Sequence, residues 1–327
     1  MSENRLFAPD ALKGIMIILM VFGHLPRVGT FQNELNYLVD FIYLFHMPIF
    51  LFLSGYFFSI NVNNIRGSAK KILLILYPYI LFITLYLFLL YFLNLYGVKT
   101  SNSISDISFY NIFQKIVFDP IGAYWFLHTL IFYQIVLLIT KQLFKNIDFW
   151  LEVVIIFVIS FILISVFPIE VSIKNIAFLI LGYIFRKQNN MPSNLYLIIV
   201  CIIILLLFNF NEIRENYIIH MIFILALTSF LNSVIIYKKE STVNHYLIFV
   251  GRNTLIILLV HAYFINIMKF TVPFILKFEA SGVMYSIIST FIVIHVSIFS
   301  AYLFDKLRLS KYLFLKDEIY ISNKGQR

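Results

Sequence analysis

Apolar residues fill this chain in blocks of about twenty, and polar residues are confined to short breaks between them. A helix needs roughly 20 residues to cross the hydrocarbon layer of a bilayer. Ten such blocks are predicted, at about 8–25, 38–60, 72–97, 121–140, 148–167, 172–186, 195–210, 216–237, 246–269 and 282–305. The sixth and seventh are short for a span. The longest break, about 98–120, is rich in Ser, Asn and Asp and reads as a loop. No internal repeat or polar linker divides the series. The expectation is an all-α polytopic membrane protein, with residues 1–327 forming one membrane-embedded domain. The first block follows basic residues as a secretory signal would, but no small-residue cleavage site comes after it. It reads as an uncleaved first span.

Composition strengthens that reading. The chain is 61% hydrophobic and 13% charged, whereas soluble domains carry about 25% charged residues. A soluble core could not hide so much apolar surface. The net charge of +9 comes without basic tracts interleaved with exposed aromatics, so nucleic-acid binding is excluded. The single cysteine, Cys201, rules out an internal disulfide and a thiolate-only metal site; no metal is expected. Lys and Arg set the orientation. With the N-terminus in the cytoplasm, 18 of the 25 basic residues fall on the inner side, which predicts ten spans with both termini inside.

That topology gathers histidines at one depth. His24 ends the first span on the outer side, His46, His128 and His261 lie in outer halves, and His220 starts the eighth span from outside. Imidazole is costly in hydrocarbon and titrates near neutrality, so histidines placed there are candidates for proton chemistry. The plainer reading of each is an interhelical hydrogen bond. Asp10 and Lys13 mark the inner end of the first span, and Lys13 precedes His24 by eleven residues, about 16 Å of helix rise. Asp10 and His24 therefore cannot touch along a regular helix. A first-turn carboxylate also suits the helix dipole, and a lysine there also anchors at the lipid surface. His46 precedes Met47-Pro48, where a proline frees a backbone carbonyl, and Ser54-Gly55 permits close helix packing.

Four motifs together resemble one family: DALKGIMIILMVFGHL, FHMPIFLFLSGYFF, YWFLHTLIFY from Tyr124 to Tyr133, and GRNTLIILLVHAYF from Gly251 to Phe264. The chain is similar to the membrane-bound acyltransferase-3 family, in particular its fucose 4-O-acetylase-like branch, which modifies bacterial surface polysaccharides. The resemblance implies acyl transfer from acyl-CoA to a sugar hydroxyl in the bacterial cytoplasmic membrane. It implies His24 as the catalytic histidine, with Lys13 and Asp10 matching the basic and acidic residues ahead of it, and His46 matching the branch's second histidine. One departure stands out. Relatives carry an R-x-x-R pair before a Pro-Tyr, but here Ile72 and Ile75 precede Pro78-Tyr79, and the basic residues Arg66, Lys70 and Lys71 lie upstream.

O-acylation needs a base for the hydroxyl proton, an activated acyl donor and stabilisation of an oxyanion. His24 supplies the base or an acyl relay. His46 donates to the carbonyl or holds the acceptor, and Asp10 completes the expected catalytic set. Lys13, Arg66, Lys70 and Lys71 are candidates for the phosphates of acetyl-CoA or another acyl-CoA, with membrane anchoring as the competing role. Trp125, His128, Asp40 and His261 are candidates to line the saccharide or lipid-linked glycan acceptor; Asp40 also reads as a solvated helix end. The expected enzyme is an O-acetyltransferase, with succinyl transfer as a close variant. The competing function is a transporter of polysaccharide or lipid-linked precursors, which also places polar groups in the membrane. A haem protein with histidine axial ligands is a third reading.

Overall fold

The structure, a computed structural model, describes residues 7–61, 64–98, 104, 106–145, 147–188 and 191–322. Arg5, Lys99, Lys324 and Arg327 of the charge count lie outside the described residues, as do both chain ends. The regular structure is helical. In chain order the helices are α1 (Phe7–His24), α2 (Gln32–Phe57), α3 (Ile65–Leu95), α4 (Phe109–Val117), α5 (Trp125–Leu143), α6 (Phe149–Val166), α7 (Ile173–Lys187) and α8 (Ile198–Leu207). They continue as α9 (Phe210–Glu215), α10 (Tyr217–Tyr237), α11 (Thr242–Arg252), α12 (Thr254–Met268), α13 (Val272–Ile275), α14 (Val283–Lys306) and α15 (Ser310–Phe314).

Among the described residues, eight helical runs are long and apolar enough to cross a membrane, not the ten expected: α1, α2, α3, Gly122–Leu143, α6, α10, Thr254–Ile275 and α14. The difference has a physical cause. The sixth and seventh expected spans become α7 and α8, whose 15 and 10 residues rise only roughly 22 and 15 Å against a hydrocarbon core of about 30 Å. The ninth expected span is two helices, broken at Asn253. His245, expected in a loop, lies within α11. The expected loop 98–120 contains α4, an amphipathic helix capped by the Ser108 side chain and exposing Phe109 and Tyr110. Such a helix suits the lipid interface.

The inside-out pattern of a membrane protein is plainest on α6. Its buried residues are Glu152, Ile156 and Ser160, one stripe at four-residue spacing, while Val154, Phe157 and Phe161 are exposed. Apolar residues facing outward around a partly polar seam require lipid as the solvent.

The chain divides into two compact units. The first comprises Met1–Leu53, Phe185–Leu303 and Ile319–Arg327. In it α1 packs most extensively against α11, and also against α12 and α10. Two glycines allow this approach. A Cβ on Gly14 would strike the backbone of Leu247, and one on Gly251 would strike the carbonyl of Asp10. Pro48 in α2 cannot donate to the carbonyl of Leu44, and His220 on α10 supplies the missing donor, its Nε2 lying 2.6 Å from Leu44 O. His220 therefore repairs the proline break and joins α10 to α2.

The second unit comprises Ser54–Ile184 and Phe304–Glu318. Here α3 packs on α5 and α15, and α5 packs on α6. Gly55 meets the backbone of Leu179 with no room for a side chain, as the Ser54-Gly55 pair leads one to expect. Glu152 binds α6 to its neighbours: Lys141 on α5 donates to it at 2.7 Å and Tyr183 on α7 at 3.0 Å.

Candidate active site

The first unit brings three of the seven histidines together. His24 is the last residue of α1 and is an exposed residue there. The ring of His261, on α12, lies 5.5 Å away, and that of Tyr43, on α2, 6.3 Å away. Tyr43 in turn stacks on His46 at 5.2 Å. The imidazole of His24 thus has aromatic rings on two sides, His261 of α12 and Tyr43 of α2.

His46 and His261 are the opposite case. They are 3% and 1% exposed. Each turns Nδ1 toward its own helix: His46 to Ile42 O at 2.8 Å, His261 to Ile257 O at 2.8 Å and Leu258 O at 3.1 Å. A carbonyl only accepts, so Nδ1 carries the proton in both rings, and in the neutral form Nε2 keeps its lone pair. The backbone thus fixes both tautomers. The His261 ring lies beside that of His24, and His24 makes no hydrogen bond among the described residues.

Arg27 and Asn36 complete this end. The Tyr43 hydroxyl donates to Gly23 O at 2.7 Å, Arg27 Nη1 donates to the same carbonyl at 3.2 Å, and Arg27 Nε donates to Asn36 Oδ1 at 2.9 Å. A guanidinium has five N–H groups, so Arg27 retains donors for a substrate oxygen. Sequence reading counted Arg27 only as an outer charge and passed over Tyr43. The signal was present: Asn36 and Tyr43 are seven residues apart, one face of α2.

Two loops close over this end. Thr30 N donates to Ala280 O at 2.9 Å and Phe31 N to Ser281 O at 3.1 Å. Gly29 and Gly282 both have positive φ, +89° and +84°, and sit where a Cβ would strike the facing loop. The Glu279 carboxylate accepts from Ser281 Oγ and from the amides of Ser281, Gly282 and Met284, at the start of α14. The Ser281 hydroxyl bond, helped by the amides and opposed by desolvation, holds the Glu279 carboxyl below its ordinary value of 4.5. A depressed carboxyl stabilises the folded loop above its unfolded value and loses that contribution as pH falls through the folded one. Amide protection in 27–31 and 280–284, corrected for intrinsic exchange, is accordingly expected to be constant from pH 7 to about 5 and to fall below the ordinary value of 4.5, and Glu279→Gln should remove the dependence.

The other end of α1 carries an ion cluster. Asp10 pairs with Lys13 and with Arg252 of α11, both at 3.3 Å. Asp10 is not brought to His24, as the spacing along α1 leads one to expect; its partners are the two cations. Arg252 was missed as a site residue although it stands inside the G-R-N-T-L motif. That motif now has a local account. Gly251 admits α1, Arg252 reaches Asp10, and Asn253 ends α11 while its side chain clasps Ile321 through both backbone groups at 3.0 Å. Thr254 starts α12, and His261 follows two turns later. Asp40 is exposed near the start of α2, where its backbone carbonyl accepts from Arg214.

The remaining candidates belong to the second unit. His128 bonds Val117 O at 2.9 Å through Nε2 and lies 6.3 Å from the Tyr79 ring. Trp125 opens α5 and meets Phe126 edge-on. Arg66, Lys70 and Lys71 are exposed on the first turns of α3, while Ile72 is buried.

Comparison with known proteins identifies the family. Residues 6–304 match the acyltransferase domain of the Acyl_transf_3 family. The chain belongs to the acyltransferase-3 family. It is 26% identical over 210 residues to the nodulation protein NolL of Sinorhizobium fredii (strain NBRC 101917 / NGR234), covering 59% of this chain and 52% of that one. It is 26% identical over 198 residues to NolL of Mesorhizobium japonicum (strain LMG 29417 / CECT 9101 / MAFF 303099), covering 57% and 49%. The chain thus spans about half the length of the curated relatives it matches. No solved structure matches it. The acyltransferase-3 match runs from before α1 into the last turn of α14 and so contains both the histidine cluster and the Asp10 cluster.

Proposed function

We propose that this acyltransferase-3 chain is a bacterial inner-membrane O-acetyltransferase that moves an acetyl group from acetyl-CoA to a hydroxyl of a surface saccharide. The observation that carries the reading is the exposed His24 beside two histidines whose tautomers are fixed by backbone carbonyls. His24 takes the acceptor's hydroxyl proton as the oxygen attacks the thioester carbon. The C–O bond forms, the tetrahedral oxyanion collapses, the C–S bond breaks, and the CoA thiolate leaves with the proton His24 returns. A thioester is already activated, so this chemistry calls on no metal.

The neighbours divide the work. In the reacting complex His24 turns to donate from one nitrogen to His261, which leaves its other nitrogen as the base, as a carboxylate does in a hydrolase dyad. Arg27 supplies N–H donors to the developing oxyanion. At the far end of α1, Lys13 and Arg252 meet the donor's phosphates, with Asp10 holding both cations in place while the site is empty. The donor's acyl-bearing arm then runs along α1, about 16 Å from Lys13 to His24. With the N-terminal end of α1 in the cytoplasm, as the Lys and Arg bias suggests, donor and acceptor come from opposite sides. Arg66, Lys70 and Lys71 form a second basic surface open to the donor, and His128 and Trp125 are polar and aromatic groups available to the acceptor. The whole chain acts as one membrane domain.

In proteoliposomes with acetyl-CoA labelled in the acetyl group, the label is expected in a saccharide fraction with stoichiometric thiol release. Thiol release without labelled saccharide would overturn the acceptor assignment, and neither would overturn the reaction. Arg252→Ala is expected to raise the KM for acetyl-CoA about tenfold, roughly 1.4 kcal/mol of lost binding, with a smaller change in kcat. Steady-state kinetics at fixed acceptor checks it.

A further inference from the structure

One cavity of the first unit lies outside the histidine cluster. It is a groove of about 590 Å³ between the start of α2 and the turn that joins α8 to α9. Its polar wall is Tyr37, Asp40, Asn209, Asn211 and Arg214, and its floor is the apolar end of α8, 205–208. The groove is prebuilt. Asn209 and Glu212 form a reciprocal capping box at the turn, Ile213 is fully buried beneath it, and Phe210 packs on the rings of Tyr37 and Phe41 at 5.1 and 5.6 Å. Tyr37 nonetheless stays 68% exposed.

The lining specifies an amphipathic occupant. Ile199, Ile202, Ile203 and Leu206 are exposed along α8, so the floor continues a lipid-facing surface. The opposite wall offers an open aromatic face, a carboxylate, two amides and a guanidinium. Planar polar side chains suit paired hydroxyls, and an aromatic face suits the C–H face of a sugar ring; a few such groups over an apolar surface fix orientation. The groove shares α2 with the histidine cluster: Asp40 precedes Tyr43 by three residues, one helical turn, and Tyr43 neighbours His24.

We infer that this groove seats the saccharide of a membrane-anchored acceptor, whose lipid lies along α8 while the sugar chain passes Tyr37 toward His24. The inference rests on the acyl-acceptor reading above and adds that the acceptor arrives from the bilayer. The test is photo-cross-linking with the full chain in nanodiscs. A benzophenone side chain replaces Tyr37, and the probe is the solvent-extracted glycolipid fraction of cells lacking this protein. The expected adduct carries both sugar and lipid masses, and Arg214→Ala lowers its yield about tenfold. An adduct with phospholipid alone, no sugar-bearing adduct, or a yield indifferent to Arg214→Ala would overturn the assignment. A second arm uses the same glycans after mild acid removes the lipid; equal cross-linking of these would overturn the anchored acceptor. The cross-link is read without acetyl-CoA. A sugar-bearing adduct with no acetyl transfer would therefore retain the groove and remove the enzymatic reading, and transfer without such an adduct would do the reverse.

Discussion

His24→Ala is expected to lower acyl transfer about 10³-fold while the protein still inserts and folds. General-base catalysis contributes about 10²–10⁴-fold, and a factor of 10³ corresponds to about 4 kcal/mol of lost transition-state stabilisation. The fold should survive because His24 is exposed at the end of α1 and makes no hydrogen bond among the described residues, so its removal orphans no buried partner. His261 gives the internal control. It is buried, and His261→Ala removes the acceptor proposed to orient His24 in the reacting complex, so a loss of about 10² is expected in kcat with little change in acceptor KM. His261→Gln returns an acceptor near the Nε2 position and should recover most of that loss. Transfer measured in proteoliposomes, beside a melting curve for each variant, separates the roles. A His24→Ala protein keeping a tenth of the activity would exclude His24 as the base.

Gly251→Val carries the largest expected effect on stability. A Cβ at position 251 would meet the Asp10 carbonyl and the backbone nitrogen of Gly14. Neither is the movable tip of a side chain, so α1 and α11 must separate. Overpacking in a tight interface costs about 1–3 kcal/mol, and a backbone-to-backbone clash belongs at or above the top of that range. Separation also pulls Arg252 from Asp10 and disturbs the clasp of Asn253 on Ile321. The variant should be recovered mostly as aggregate on size exclusion in detergent, with any folded fraction melting well below the native chain. Gly97→Val is a useful comparison: nothing lies near that Cβ, so its cost is the local strain of a side chain at a positive φ of 71° and no helix pair has to separate.

Much of this was legible in the sequence because a membrane helix announces itself through length and apolarity alone. The starts of α1, α6 and α10 and the end of α14 fell within a residue or so of expectation. The misreadings share a cause. An apolar block does not tell whether a helix spans, stops short or breaks, so α7 and α8 read as spans and the Asn253 break inside the ninth block was invisible. The histidine cluster was half legible. Depth grouped His24, His46 and His261, but depth also grouped His220, whose partner is the carbonyl freed by Pro48. Which histidine is exposed and which are locked by their own helices depends on how α1, α2 and α12 meet, and no spacing along the chain encodes that. Arg27 and Arg252 were hidden for a different reason. A basic residue near a span end already has a sufficient explanation as a topology signal, and only the partners Asn36 and Asp10 single these two out.

The most direct test weighs surface glycans by mass spectrometry from cells carrying the native chain, no chain, or the His24→Ala chain at equal membrane abundance. A glycan mass greater by one acyl group in the first culture alone is the predicted result. The same mass in all three, or an acylated glycan made as fully by His24→Ala as by the native chain, would contradict the account.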